Sequence, residues 1–215
     1  MSAYIFVDLD GTLTDSAPGI TGAIAHALAA LGVPRPPEAA LRASIGPALL
    51  ESFPRLGVPA PEVARAEALY RAHYTGGAMF DARVYDGAPE MLAELRAMGY
   101  RLALATAKPL VHAVKITAHF ELASHLDAEF GPELDGTRAD KRDLLAHALA
   151  VTGADPAKSF MLGDRLHDAR GALANGITPI GALWGFGGRE ELAAAGVDAL
   201  AAAPDDVMRL VESRR

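Results

Sequence analysis

The spacing of apolar residues changes twice along the chain and divides it into three segments. Residues 4–7 form a short apolar run that is typical of a buried strand. Apolar residues recur at helical spacing through residues 16–80, and short apolar runs alternate with helical patterns from residue 81 onward. The pattern therefore predicts a helical segment inserted into an α/β domain.

The helical segment begins with Ser16, which we expect to cap the first helix, and Pro18, which suits a first turn. Turn-forming residues at 32–37, 46–47 and 57–61 divide the rest. Helices are predicted, after the one that begins near Ser16, over 38–45, 48–55 and 62–74. With no predicted strand, residues 16–80 are expected to form an all-α cap domain.

The alternating segment predicts βαβ units and hence a parallel sheet with helices on both faces. The predicted helices span 89–98, 109–120, 140–151 and 169–175, and the predicted strands span 101–105, 126–130, 159–162 and 178–183. Together with the first strand they indicate a three-layer α/β/α, Rossmann-like core made of residues 1–15 and 81–215.

Charge and composition exclude several classes of partner. The formal net charge is −7 and the 20 Lys and Arg residues are scattered, which argues against nucleic acid polymers and anionic membranes. The chain has no cysteine, no basic leader and no apolar run near the ~20 residues of a membrane helix. We therefore expect a cytoplasmic protein without a membrane partner, and the sequence leaves open whether it is a monomer or a homodimer.

Polar residues follow several predicted strands, at the edge of a parallel sheet where ligands bind. They are Asp8 and Asp10 after the first strand, Thr106 after the second core strand, and Asp164 and Asp168 after the strand at 159–162, with Lys141 near the start of a helix. Singly, each has an ordinary explanation, such as a helix cap, a solvated lysine or a structural calcium site. Jointly, clustered carboxylates require a cation, and oxygen ligands favour Mg²⁺ beside a phosphate group.

These motifs resemble the haloacid dehalogenase superfamily, specifically its phosphatases with a helical cap, such as phosphoglycolate phosphatases. The resemblance rests on Asp8 to Ser16, Thr106 to Pro109, Lys141, and Gly163-Asp164 with Asp168. It implies that Asp8 attacks phosphorus to form an aspartyl-phosphate, while Asp10 protonates the leaving oxygen and then activates water.

The resemblance also implies the remaining site residues. Mg²⁺ is expected at Asp8, Asp10 (through its carbonyl), Asp164 and Asp168, the last directly or through water. Thr106 and Lys141 are expected to hold the phosphoryl group, and the substrate-binding set comprises Gly11, Thr12, Thr106, Ala107, Lys108 and Lys141.

The substrate is expected to be a small phosphorylated metabolite, chosen by the cap. Phosphoglycolate is the leading candidate and a nucleoside monophosphate the alternative, since the segment 180–192 resembles bacterial proteins of both kinds. Residues 45–50 resemble the part of such caps that faces the site, or are simply a helix break. Trp184 and Phe186 are candidates for nucleobase contact or for loop packing. A sugar phosphomutase and a non-catalytic interaction module are the remaining alternatives.

Overall fold

The computed structural model describes residues 2–46 and 49–214, so Pro47 and Ala48, and with them part of the segment 45–50, lie outside the described residues. The chain divides into two compact units, Met1–Thr14 with Val84–Arg215, and Asp15–Arg83. The strands are β1 (Tyr4–Val7), β2 (Thr14–Asp15), β3 (Arg83–Val84), β4 (Arg101–Ala105), β5 (Ala128–Phe130), β6 (Phe160–Gly163), β7 (Thr178–Ala182) and β8 (Leu200–Ala201).

Helices make up most of the remaining regular structure. The α-helices are α1 (Ala17–Ala30), α2 (Glu38–Arg42), α3 (Leu49–Arg55), α4 (Val63–Thr75), α5 (Ala88–Ala97), α6 (Leu110–His119), α7 (Lys141–Thr152), α8 (Leu166–Ala174), α9 (Arg189–Ala194) and α10 (Asp206–Glu212). Short 3₁₀ helices span Ala60–Glu62, Ala78–Phe80, Leu122–His125 and Pro156–Lys158. None of the described helices is both long enough and apolar enough to cross a membrane.

Six strands form one parallel sheet in the order β5–β4–β1–β6–β7–β8, which confirms the predicted α/β class. The chain leaves the central β1 in both directions, toward β5 on one side and toward β8 on the other. A reversal of this kind opens a crevice at the carboxyl ends of the central strands. Because Asp8 directly follows β1, it lies at this crevice.

Helices cover both faces of the sheet, so all four residues of β1 are buried. Tyr4 and Phe6 pack in a cluster with Leu144 and Leu145 of α7 and Ala172 of α8. Alternate residues of a strand point to opposite faces, so Ile5 and Val7 are buried on the other face, where α5 packs against β4. A strand buried on both faces explains why β1 reads as a continuous apolar run.

The unit Asp15–Arg83 is helical, with α1 packed against α4 and α4 against α3. Gly19 permits a close approach inside this unit, since a Cβ atom there would lie 2.1 Å from the carbonyl oxygen of Ala78. Ser16 occupies the predicted N-cap position of α1, but its hydroxyl makes no capping hydrogen bond. Asp15 Oδ1 instead accepts from the Ala17 N–H at 3.3 Å.

Several element boundaries differ from the sequence-based expectations. The helix predicted over 38–45 ends at Arg42, because Ser44 and Ile45 donate to carbonyls three residues back and tighten the last turn. The sequence did not predict the two-stranded pair of β2 and β3, nor the elements β8, α9 and α10. These elements have two to seven residues each, too few to produce a periodic pattern.

An ionic contact joins β4, β5 and α5 near the opposite edge of the sheet. Asp127 Oδ2 accepts from the Leu102 N–H at 2.8 Å and from Arg96 Nη1 at 3.0 Å, and Oδ1 lies 3.5 Å from Arg101 Nη2. Partial burial opposes ionisation, but the Leu102 N–H and the two guanidinium groups together hold the pKa of Asp127 below its usual value.

We predict that Asp127→Asn destabilises the protein by about 1–2 kcal/mol at pH 7, because hydrogen bonds to a charged group are stronger than neutral ones. Since the folded-state pKa is lowered, this contribution exists above the ordinary value of 3.8 and disappears as the pH falls through the folded-state pKa. Urea unfolding at pH 7 and pH 3 measures it. Asp198→Asn is the control, because Asp198 is 84% exposed and should contribute less than about 0.5 kcal/mol. An equal loss at both pH values would contradict the prediction.

Candidate active site

The carboxyl ends of β1, β4 and β6 bring the predicted polar residues to one edge of the sheet. Asp8 follows β1, Thr106 follows β4, and Asp164 follows β6. Lys141 is the first residue of α7 and Asp168 lies in the first turn of α8, so both helices begin at this edge. These five side chains are buried. Burial is unusual for the four charged ones and requires internal partners.

Lys141 lies at the centre of the site. Its Nζ contacts Asp8 Oδ1 at 3.1 Å, Asp168 Oδ1 at 2.7 Å and the carbonyl oxygen of Ala105 at 2.7 Å. The contact with Asp168 is an ion pair without hydrogen-bond alignment. Gly171 makes room for the lysine stem, since a Cβ there would lie 2.9 Å from Lys141 Cγ. The packing of α7 against α8 therefore determines where the ammonium lies.

The buried charges perturb one another. Burial raises the pKa of Asp8 to about 6; Lys141 opposes this increase, whereas Asp168 and Asp10 add to it. Burial, followed by the charges of Asp168 and Asp8, raises the pKa of Asp164 to about 8. For Lys141 burial disfavours the charged form, but Asp168 and Asp8 outweigh it and raise the pKa, so the ammonium stays charged.

A loop after β7 holds Asp164. We call residues 184–187 the Asp164 loop, because the N–H groups of Phe186 and Gly187 donate to Asp164 Oδ2 at 2.7 and 3.3 Å. The Thr12 hydroxyl donates to Asp164 Oδ1 at 3.4 Å, and Trp184 Nε1 donates to the Thr12 carbonyl oxygen at 3.0 Å. Trp184 therefore packs the loop against the turn after β1.

Asp10 has a partner of its own, the ammonium of Lys108. Lys108 is buried, and its Nζ lies 2.8 Å from Asp10 Oδ2. Asp10 Oδ1 is also buried and has no hydrogen-bond partner among residues 2–46 and 49–214. One carboxylate oxygen is thus fixed by an ion pair, and the other remains free to exchange a proton or accept a bond.

The remaining predicted site residues are placed as follows. Gly11 has a φ of +83°, and its N–H donates to the Thr14 carbonyl. The Thr12 N–H donates to the Leu9 carbonyl at 3.3 Å, so the donors of Gly11 and Thr12 are already used within the protein. Thr106 Oγ1 accepts from the Lys108 N–H at 3.2 Å, and Ala107 is exposed.

The acidic cluster fits a divalent cation. One ligand oxygen from each of Asp8, Asp164 and Asp168 lies within 4.8 Å of the other two. Including Asp10, the four carboxylates outnumber the ammonium groups of Lys141 and Lys108 by two. A hard divalent ion with oxygen ligands would balance this charge. Glycines leave the space free, since a Cβ at position 11 would lie 2.3 Å from Asp164 Oδ2.

Three contacts were not predicted from the sequence. They are the ion pair of Asp168 with Lys141, the ion pair of Lys108 with Asp10, and the hydrogen bonds from the Asp164 loop to Asp164. The segment Trp184-Gly185-Phe186-Gly187 carried a signal, because its two glycines mark a close approach. A Cβ on Gly187 would lie 1.8 Å from the Asp164 carbonyl oxygen, and one on Gly185 would lie 2.2 Å from that of Gly11.

Comparison with known proteins identifies the family. A model described as haloacid dehalogenase-like hydrolase matches residues 3–176, and the chain belongs to this family. A 5′-nucleotidase of Pseudomonas aeruginosa is 42% identical over 191 residues, which cover 88% of this chain and 86% of the relative. A plasmid-encoded phosphoglycolate phosphatase of Cupriavidus necator is 34% identical over 203 residues, covering 91% and 87%. These relatives and the site make the protein a phosphatase of the family, as predicted.

Solved structures agree with this assignment. The crystal structure of a predicted phosphatase from Clostridium acetobutylicum superposes with a TM-score of 0.91 at 34% identity, covering 99% of each chain. The structure of the protein tyrosine kinase PtkA of Mycobacterium tuberculosis superposes with a TM-score of 0.83 at 36% identity, covering 98% of each chain. The fold is therefore shared by proteins of different names, and the names alone do not define a substrate.

We predict that Lys141→Met lowers the unfolding free energy by about 3–5 kcal/mol at pH 8, because it leaves two buried carboxylates without a cation. The loss should shrink at pH 5, where the unpaired carboxylates take up protons. Chemical unfolding in the presence of a chelator measures it. Lys115→Met is the control, because Lys115 is exposed on α6. Adding Asp8→Asn to Lys141→Met should recover part of the loss; no recovery would contradict the central role of the ion pair.

Proposed function

We propose that the protein is a Mg²⁺-dependent phosphomonoesterase that transfers a phosphoryl group from a small metabolite to Asp8 and then to water. The observation that carries this proposal is the buried Lys141 ammonium between Asp8 and Asp168, beside Asp164. Phosphoryl transfer requires positioning and neutralisation of charge more than covalent assistance from other groups. An excess of carboxylates around one lysine supports a site that works with a divalent cation.

Asp8 is proposed as the nucleophile. Its Oδ1 contacts the Lys141 ammonium at 3.1 Å, which favours the ionised form and holds the carboxylate at the end of β1. As the bond from Asp8 oxygen to phosphorus forms, the bond from phosphorus to the leaving oxygen breaks. Lys141 and Thr106, which lie at the same sheet edge, are proposed to hold the phosphoryl oxygens.

Asp10 is proposed as the general acid and base. Its Oδ2 pairs with Lys108, so the buried Oδ1 is the oxygen that can give a proton to the leaving group and later accept one from water. The pairing also suggests that Lys108 acts through Asp10 as well as on the substrate. Gly11, Thr12 and Ala107 remain candidates for substrate binding, the first two with backbone donors that are occupied within the protein.

Mg²⁺ is proposed to bind at Asp8, the Asp10 carbonyl and Asp164, where it would neutralise charge on the transferring phosphoryl group. Both oxygens of Asp168 already have contacts, with Lys141 Nζ and with the Arg165 N–H at 3.1 Å. Because Asp168 Oδ1 lies 2.7 Å from the Lys141 ammonium, which would repel a second cation, we propose the water-mediated role for Asp168 among the two that the sequence left open.

The substrate is proposed to be a nucleoside 5′-monophosphate, because the relative with 42% identity is named 5′-nucleotidase. Phosphoglycolate, the leading prediction from the sequence, is the second candidate and is supported by the relative with 34% identity. Selection between them is proposed to reside in the helical unit Asp15–Arg83, since the core residues address only the phosphoryl group. A cytoplasmic location is likewise part of the proposal.

Phosphate release from a metabolite panel tests the proposal. We predict Mg²⁺-stimulated release from nucleoside 5′-monophosphates or 2-phosphoglycolate, abolished by a chelator and restored by Mg²⁺. Asp8→Asn should lower the rate by at least about 10³-fold, because it removes the nucleophile. After acid quenching, the wild-type peptide that contains Asp8 should carry phosphate. Lys115→Met serves as the surface control.

Three results would contradict this proposal. Retained activity in Asp8→Asn would exclude the nucleophile assignment. Isomerised sugar phosphate with little free phosphate would indicate a mutase, and no Mg²⁺-stimulated release from any compound would favour a non-catalytic role.

A further inference from the structure

We propose that Trp184 is a positioning residue for the cation site: its indole N–H anchors the Asp164 loop, which fixes the Asp164 carboxylate toward Asp8. The inference rests on the proposed Mg²⁺-dependent function and extends it to a residue outside the family's motifs in this sequence. The sequence leaves Trp184 between nucleobase contact and loop packing. The hydrogen bond from Trp184 to the Thr12 carbonyl supports loop packing, and we assign that packing a role in orienting Asp164.

Asp164 is held by three neutral donors. The N–H groups of Phe186 and Gly187 reach Oδ2 at 2.7 and 3.3 Å, and the Thr12 hydroxyl reaches Oδ1 at 3.4 Å. Asp164 itself is fully buried. A carboxylate offers about four lone-pair positions, so three donors fix its orientation and leave one position for a cation.

Two of these donors are backbone groups, so their position depends on the whole Asp164 loop. The loop packs closely against the turn after β1: a Cβ at Gly185 would lie only 2.2 Å from the Gly11 carbonyl oxygen. Trp184 Nε1 donates to the Thr12 carbonyl oxygen at 3.0 Å. Thr12 therefore contacts both Trp184 and Asp164, and Asp164 in turn contacts Phe186 of the same loop. These contacts form a closed hydrogen-bond network.

Groups that orient a metal ligand contribute measurably to metal affinity. Loss of such a partner typically costs about 10–100-fold in affinity. Removing the indole N–H breaks the hydrogen bond between the Asp164 loop and the Thr12 carbonyl. The N–H groups of Phe186 and Gly187 then no longer hold Asp164 in one orientation. The expected effect is on cation binding, with substrate binding at saturating cation unchanged.

The test uses Trp184→Phe, which keeps an aromatic ring and removes the donor. Calorimetric titration of the metal-free full-length protein with Mg²⁺ should show a dissociation constant raised by about 10-fold or more. At saturating Mg²⁺, KM should stay within about twofold of the wild-type value, and kcat should return to near the wild-type value. Phe120→Leu is the matched control, since it alters a half-buried aromatic residue at the far end of α6.

Two further measurements separate this role from a general loss of stability. Thr12→Val removes the hydroxyl that donates to Asp164 Oδ1. The double variant with Trp184→Phe should lose less Mg²⁺ affinity than the two single losses combined, because both residues belong to one hydrogen-bond network. Trp184 is the chain's single tryptophan, so its fluorescence should respond to Mg²⁺ in the wild-type protein and not in Asp164→Asn.

Three results would overturn the role of Trp184 and leave the phosphatase proposal intact. They are an Mg²⁺ affinity of Trp184→Phe within about twofold of wild type, additive losses of Mg²⁺ affinity in the double variant, and wild-type fluorescence that does not change when Mg²⁺ binds. A wild-type protein that neither binds Mg²⁺ nor shows Mg²⁺-stimulated activity would overturn both.

Discussion

The structure depends on the burial of more negative than positive charge at one edge of a parallel sheet. Lys141 compensates part of it by contacting Asp8, Asp168 and the Ala105 carbonyl at once. Burying ionised groups without partners costs several kcal/mol for each group. The fold tolerates the cluster because α7 supplies the Lys141 ammonium and the Asp164 loop supplies backbone donors. The remaining excess of carboxylates is what makes the site suitable for a divalent ion and a phosphate.

Most of the core architecture follows from local pattern. The apolar run of β1, the alternation of helices and short strands, and the glycines after helices predicted a parallel sheet, and the sheet order confirms it. The elements that were missed are short or stabilised by distant partners. Leu200–Ala201, for example, is a strand only because it pairs with β7. A two-residue segment is too short for its own sequence to indicate that pairing.

The site was predictable to the same degree. Acids that end strands can be located because parallel strands share an edge, so Asp8 and Asp164 were expected near each other. The partner of each charge could not be foreseen. Lys108 follows Thr106 by two residues and was predicted to bind substrate, and its ion pair with Asp10 was not foreseen. Which carboxylate a long lysine reaches depends on side-chain packing between elements that are about 100 residues apart in the chain.

The position of β1 has a consequence for how the chain reaches this state. β1 is the central strand, yet its neighbours β4 and β6 lie far along the chain, and the contacts of Lys141 with Asp8 and of Trp184 with Thr12 span 133 and 172 residues. During synthesis its four apolar residues must therefore remain unpaired while the intervening helices emerge. Such late long-range pairing slows folding and leaves a strand edge open to other chains. The cluster of charges cannot form before Lys141, Asp164 and Asp168 have been synthesised, and β1 does not have both of its neighbouring strands until β6 has emerged.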